Sequence, residues 1–420
     1  LSSTSDAKLP GQFFSAILLV AGACIGAGML VLPTATGVLG FVPSVALLFV
    51  CWIFMTLTGL LILEVSLWMD EGAHFISMSG RFLGNAGKAI SWLIYLFICY
   101  GSIIAYTAGG GEMIASCAEA LTGFALSETS GAISFILVFG LVIHLGSRIV
   151  GRVNAILFIA MIVAFLALIS TGMTHIKPQL LIAQKNISYS IYAIPLMLTS
   201  FSFQTLVPSL TPMLKRNVKG LRYSIIFGTL IVLVVYVIWE ALTLGIIPLE
   251  GEQGLRSAVT SGDAITSFFA AAVQSPRISQ VALFFSFFAL VTSFLGMALG
   301  LFDFLSDGLK IKKQGLGRLY LSLLIAVPTC FFATNYERVF TAALEATGGF
   351  GDSILSGMLP VAMVWIGRYR HGLHGSYRVI GGKPLLVIVF LFYCGVFIFE
   401  GLLQTGTIAL LYEGSRTLDF

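Results

Sequence analysis

Charge is what this sequence has least of. Charged side chains make up 10% of it, against about 25% in an ordinary soluble domain. Hydrophobic residues supply 58% and the mean hydropathy is +0.99, which excludes a water-soluble globular protein. Cysteine is sparse as well. Cys24, Cys51, Cys99, Cys117, Cys330 and Cys394 are scattered through apolar runs with no CxxC spacing, so neither a disulfide framework nor a thiolate metal site is expected. The chain carries no Walker A sequence, which argues against ATP-driven work by this chain alone. It has no filter-like loop or ring of charges to mark a channel, and no nucleic-acid partner is expected.

What fills the chain instead is apolar runs of about 20 residues, the length that crosses a bilayer as a helix. Eleven are found, near 12–38, 40–67, 89–118, 131–147, 153–172, 187–213, 221–247, 279–303, 318–334, 340–366 and 385–410. The first reads as a span rather than a cleavable signal. With the N-terminus inside, alternate loops hold Lys and Arg in the ratio 17 to 6. That bias matches the positive-inside rule and places the N-terminus in the cytoplasm and the C-terminus outside. Residues 1–11 then form a cytoplasmic segment, and 413–420 read as a tail or processing remnant.

The first span holds Gly22, Gly26 and Gly28, with Pro33 close behind. Each glycine costs roughly 1 kcal/mol against alanine in a helix interior. Such a span is either broken, with freed N–H groups facing a cavity, or packed tightly against a neighbouring helix through its small residues. The sixth span echoes it, because Pro195 and Pro208 bracket a hydroxyl-rich centre that should loosen between Thr199 and Gln204. An interval of five spans inverts direction. Paired interrupted spans at corresponding places in two halves point to the binding site of a secondary transporter.

Seven carboxylates fall inside expected spans: Glu64, Glu112, Glu240, Asp303, Glu345, Asp352 and Glu400. No Lys or Arg lies well inside any span, so these acids should be protonated, interfacial or beside a cation. Glu64, Glu112 and Asp352 adjoin glycine- or hydroxyl-rich stretches and are the candidates for a proton relay. A second coupling site needs no acid. In the eighth span the Thr292 and Ser293 hydroxyls, with the Ala289 carbonyl, can meet carbonyls freed at Gly22 and Ile25. Such an all-oxygen set suits sodium, unless both hydroxyls bond back to their own helix. Gly349-Phe350-Gly351-Asp352 also reads as the GxGD motif of intramembrane aspartyl proteases. Its only partner would be Asp303, two spans away, and no PAL motif follows.

The run GACIGAGMLVLP (22–33) resembles the signature of the hydroxy/aromatic amino acid permeases. So do AYTAGGGEMI (105–114), LTSFSFQTLVPSL (198–210) and TSFLGMALGLFDFLSD (292–307), while GGFGDSILSGMLPVAMVW (348–365) fits less tightly. The likeness covers nearly the whole chain, and its third and eighth spans look most like the tyrosine and tryptophan branch rather than the serine/threonine branch. It implies an all-α polytopic membrane protein of the amino acid–polyamine–organocation superfamily. Eleven helices would form a five-plus-five inverted repeat (12–172 and 187–366), with discontinuous first and sixth helices and one extra span at 385–410. It implies no enzyme activity, and import of an aromatic L-amino acid across a bacterial-type cytoplasmic membrane with a proton or sodium ion. The alternative within the family is a serine/threonine symporter.

Carried over by the same resemblance, Ala23, Cys24, Gly26, Ala27 and Gly28 would take the substrate's carboxylate. Carbonyls around Thr199, Ser200, Phe201 and Ser202 would take its amine. Phe203 and Gln204 would face its side chain, and Tyr106, Ser293 and Met297 would complete the pocket. Two departures stand out. Gln204 occupies the place where family members usually carry histidine, and glutamine cannot titrate. The fifth span (153–171) lacks the lysine that stands in for sodium in some proton-coupled relatives, which makes sodium a rival to the proton here.

Overall fold

The computed structural model describes residues 9–70, 73–123, 125–182, 189–261, 265–273, 275–335 and 339–408. The proposed tail at 413–420 and most of the N-terminal segment lie outside them. Among the described residues there is no strand. The first apolar run is two helices, α1 (Leu9–Cys24) and α2 (Ala27–Thr36), bent by 52° at a break. Then follow α3 (Phe41–Trp68), α4 (Phe75–Thr122), α5 (Glu128–Leu145) and α6 (Ser147–Gly172), with a short α7 (Pro178–Ile182). The sixth run is likewise divided, into α8 (Ser190–Ser200), a 3₁₀ turn (Gln204–Leu206) and α9 (Val207–Met213). Next come α10 (Val218–Ile246), short α11 (Leu255–Ser261) and α12 (Ile265–Val273), α13 (Pro276–Leu309) and α14 (Gly315–Asn335). The tenth run is α15 (Val339–Ala346), a π-helical stretch (Thr347–Met358) and α16 (Leu359–Tyr369), and α17 (Gly382–Gln404) closes the chain. Among the described residues ten helices are long and apolar enough to span a bilayer, and the bent pair, taken as one span, makes eleven.

The helices sort by burial. Between 17% and 33% of the apolar window is buried in α5, α6, α14 and α17, whose outward Ile, Leu and Val side chains suit lipid. The tenth run is 67% buried and sits at the centre. Packing follows a pattern expected of two inverted halves. The first half of the first span packs on α10 as the first half of the sixth packs on α3, and α6 packs on α13 as the tenth run packs on α4.

Two details depart from hydropathy. The third span starts about three and a half turns before Lys88, at Phe75, and kinks at Gly84, whose positive φ of 70° only glycine adopts freely. Arg81 and Lys88 mask this first section from an apolar window. The π-helical stretch was also invisible. A π-helical turn is rare and frequently marks a functional site. A side chain on Gly348 would enter the Pro195 carbonyl of α8, one on Gly349 would enter Glu400, one on Gly351 Ile98, and one on Gly357 the Tyr393 ring. Four glycines thus seat one segment against α8, α17 and α4.

Candidate functional site

At the first break the α-helical ladder runs out. Gly26 is extended (φ −177°, ψ −150°), a shape any residue adopts, so the glycine is there for space rather than conformation. Its position faces the Ser293 hydroxyl of α13 so closely that any Cβ would collide with it. Ser293 Oγ in turn accepts the Ala27 N–H at 3.0 Å. A Cβ on Gly28 would lie 3.1 Å from Ser200 Oγ and 3.2 Å from Ser200 Cα, so Gly28 is where the two broken spans meet. Gly22 differs: its Cβ would make ordinary contact, 3.4 Å, with the Phe158 ring. Both readings of the glycines hold together here. The span is broken, and its small residues also let neighbours approach.

At the second break α8 ends at Ser200, and Phe201 N–H falls back onto Met197 and Leu198 carbonyls, each at 3.1 Å. The loosening predicted between Thr199 and Gln204 is therefore present at 201–203. Thr199 Oγ donates to the Leu344 carbonyl of α15 at 2.8 Å. Ser202 donates to Asp352 Oδ1 at 2.6 Å, and Ser356 donates to the same oxygen at 2.7 Å. Asp352 is buried, and its Oδ2 has no partner among the described residues.

Phe203 and Gln204, expected to face a substrate side chain, are both buried and packed against α3. Gln204 Nε2 donates to the Met55 carbonyl and to Thr58 Oγ, each at 3.1 Å, while its Oε1 accepts Phe203 N–H at 2.9 Å. Every polar atom of the amide is thus engaged in holding the break. The Phe203 ring lies against Gly59, where no side chain intervenes.

The coupling candidates separate. Glu64 is paired after all: Arg368 Nε donates to its Oε1 at 2.6 Å, Arg368 Nη2 bonds Oε2, and Val379 N–H donates to Oε2 at 2.8 Å. The expectation that no base reaches the buried acids fails at this residue. The sequence-drawn end of the tenth span, residue 366, stopped just short of Arg368, which α16 carries into the protein. Glu112 is half-buried further along α4. Thr292 bonds back to its own helix, donating to Phe288 and Ala289 carbonyls at 2.8 and 3.2 Å, whereas Ser293 faces the break. Asp303 is bound by Lys313 at 2.8 Å near the end of α13, and Asp352 by serines, so the two aspartates do not form a dyad.

One face of α13 carries Ser293 against the break and Gly300 within 3.5 Å of the Tyr95 hydroxyl, taking the position of an added Cβ. Between them Gly296 is exposed and an added Cβ meets nothing within 4 Å, with Met297 half-buried beside it. Ala23 at the end of α1 is exposed. Gly296 is thus the open position on this face of α13, one turn from Ser293. Tyr106 is buried in α4.

Sequence reasoning missed Tyr236. Its hydroxyl sits between the Cys24 carbonyl, at 2.8 Å, and the Ser200 carbonyl, at 2.7 Å. These are the last carbonyls of the two half-helices that precede the breaks. One helical turn on, Glu240 Oε2 accepts the Thr36 hydroxyl at 2.7 Å, tying α10 to the far end of α2. The only sequence signal is a Tyr and a Glu four apart in an apolar span.

Two opposed broken helices in an all-α membrane protein, with a donor end and carbonyl ends meeting at mid-span, define a transporter of the discontinuous-helix class. The same fold is seen in MhsT in complex with L-phenylalanine, with a TM-score of 0.64 over 93% of this chain and 98% of that one at 11% identity. The profile of the Tryptophan/tyrosine permease family matches residues 10–400, and the chain belongs to that family. The Tyrosine-specific transport system 1 of Haemophilus influenzae is 34% identical, over 89% of this chain and 92% of the relative. The Tryptophan-specific transport protein of Pseudomonas aeruginosa is 30% identical, over 93% and 95%. The protein is thus an integral membrane permease for aromatic amino acids and not an enzyme. The aspartyl-protease reading of Asp352 falls with that.

Proposed function

We propose that this permease imports an aromatic L-amino acid, tyrosine before tryptophan or phenylalanine, by cation symport through alternating access. The observation that carries the proposal is the opposition of charge at the two breaks. Around Gly26, Ala27 and Gly28 the N-terminus of α2 presents N–H groups and the positive end of its dipole. The C-terminal carbonyls of α1 and α8 converge on the other side. A zwitterion needs one donor-rich and one acceptor-rich end, and its aromatic group would lie over the open position at Gly296, beside Met297.

On the positive-inside orientation the Leu309 end of α13, followed by Lys310, Lys312 and Lys313, is cytoplasmic. In alternating access the halves 12–172 and 187–366 would rock about the breaks.

The coupling ion is a proton carried by Asp352 in the reading we favour. Asp352 is bonded to Ser202 of the broken span, has no cationic partner among the described residues and leaves one oxygen unbonded. Asp352→Asn keeps the shape and one acceptor but cannot titrate. Proteoliposomes bearing it should lose tyrosine accumulation driven by a pH gradient and keep exchange of internal for external tyrosine. Undiminished gradient-driven accumulation would remove Asp352 from the mechanism.

Sodium is the second reading, supported by Ser293 standing at the break. The ion would take oxygens of Gly22, Ile25, Ala289, Thr292 and Ser293. On that reading Thr292→Ala with Ser293→Ala shifts the sodium concentration for half-maximal uptake upward by about tenfold or more, the loss of roughly one ligand's worth of binding energy. A wild-type rate indifferent to sodium excludes it.

A further inference from the structure

A hydroxyl group carries one proton, yet the Tyr236 hydroxyl lies at hydrogen-bond distance from two carbonyls. It can serve only one of them at a time. Both carbonyls, Cys24 and Ser200, end half-helices, so both stand at the negative end of a helix dipole. All three residues are buried, and the Tyr236 ring stacks edge-on against Phe201, 5.1 Å away, at the second break. α10 itself is held to the other half of the first span through Glu240 and Thr36. Tyr236 is therefore a fixed post between two acceptors that would otherwise repel each other, with fewer protons than the place can use.

We propose that Tyr236 is a positioning residue for the substrate's ammonium group. It holds the Cys24 and Ser200 carbonyls close enough to act as one acceptor pair, and the ammonium, with three N–H donors, supplies the protons that the phenol cannot. The inference rests on the zwitterion reading above and adds a residue to it. It assigns the tyrosine to recognition of the amine, and not to the carboxylate or the aromatic ring.

The test compares L-tyrosine with 3-(4-hydroxyphenyl)propanoate, which has the same ring and carboxylate and no amine. Each is titrated against purified wild-type protein and against Tyr236→Phe. In the wild type the amine should confer a large advantage in affinity. In Tyr236→Phe that advantage should shrink at least about tenfold, through weaker binding of L-tyrosine alone, while the amine-free acid keeps its wild-type affinity. Thermal unfolding of the variant should remain cooperative and within a few degrees of the wild type. An unchanged ratio between the ligands overturns the assignment. So does an equal loss for both, or a collapse of the unfolding transition, since either makes Tyr236 only a strut. A wild type that binds no aromatic amino acid at all overturns the zwitterion reading first, and this inference with it.

Discussion

Replacing Gly26 with leucine should sharply weaken binding of aromatic amino acids. The new Cβ cannot be placed without displacing the Ser293 hydroxyl, and Ser293 is the partner of the Ala27 N–H. The remaining side-chain atoms would cover the Gly28 N–H. A hydrogen bond to a charged group contributes about 1.5–3 kcal/mol. Affinity should fall by about 10- to 150-fold. Gly22→Ala is the matched control, because its Cβ makes only ordinary contact with Phe158, and it should bind within about threefold of the wild type. Isothermal titration of both variants with L-tyrosine is the measurement. Equal losses in the two would mean that the glycines serve packing alone and that the donor end of α2 takes no carboxylate.

How much of this was legible depended on whether the signal was local. The breaks were visible because glycine and proline write backbone behaviour into adjacent positions, as at Gly22 to Pro33 and Pro195 to Pro208. Span number followed from hydropathy for the same reason. The contacts that hold the breaks were not visible, since they join residues far apart in the chain. Tyr236 meets a carbonyl 212 positions away, and Arg368 meets a carboxylate 304 positions away. No periodicity encodes such pairs. The partners of Gln204 were hidden for a different reason. Its neighbours suggested a side chain pointing into the site, whereas an amide with two donors and an acceptor is more stable where all are bonded, and α3 supplies the partners. Asp352 lay between these cases. Its glycine-rich setting marked it, but only the fold brought Ser202 to it.

Arg368 carries the largest expected effect on stability. The pair with Glu64 is almost fully buried on both sides, its side chains 2% and 1% exposed. It joins α3 to α16 and fixes the following segment through Val379, whose N–H bonds Glu64 and whose carbonyl accepts Arg368 Nη2 at 3.0 Å. Glu64→Gln leaves a guanidinium without its counter-charge in a place water does not reach. Breaking such a pair from one side costs about 3–5 kcal/mol, whereas replacing both partners by apolar residues of similar volume is often neutral. Glu64→Gln and Arg368→Met should each lower the unfolding temperature in detergent sharply. Glu64→Leu combined with Arg368→Met should recover most of the loss. The same series separates structure from coupling. If Glu64 carried the transported proton, the double variant would be stable and yet fail to accumulate substrate under a pH gradient. The geometry argues the opposite, because Glu64 has its charge matched by Arg368 and its oxygens filled, while Asp352 has neither. The stable double variant should therefore accumulate tyrosine, and the stable Asp352→Asn should not.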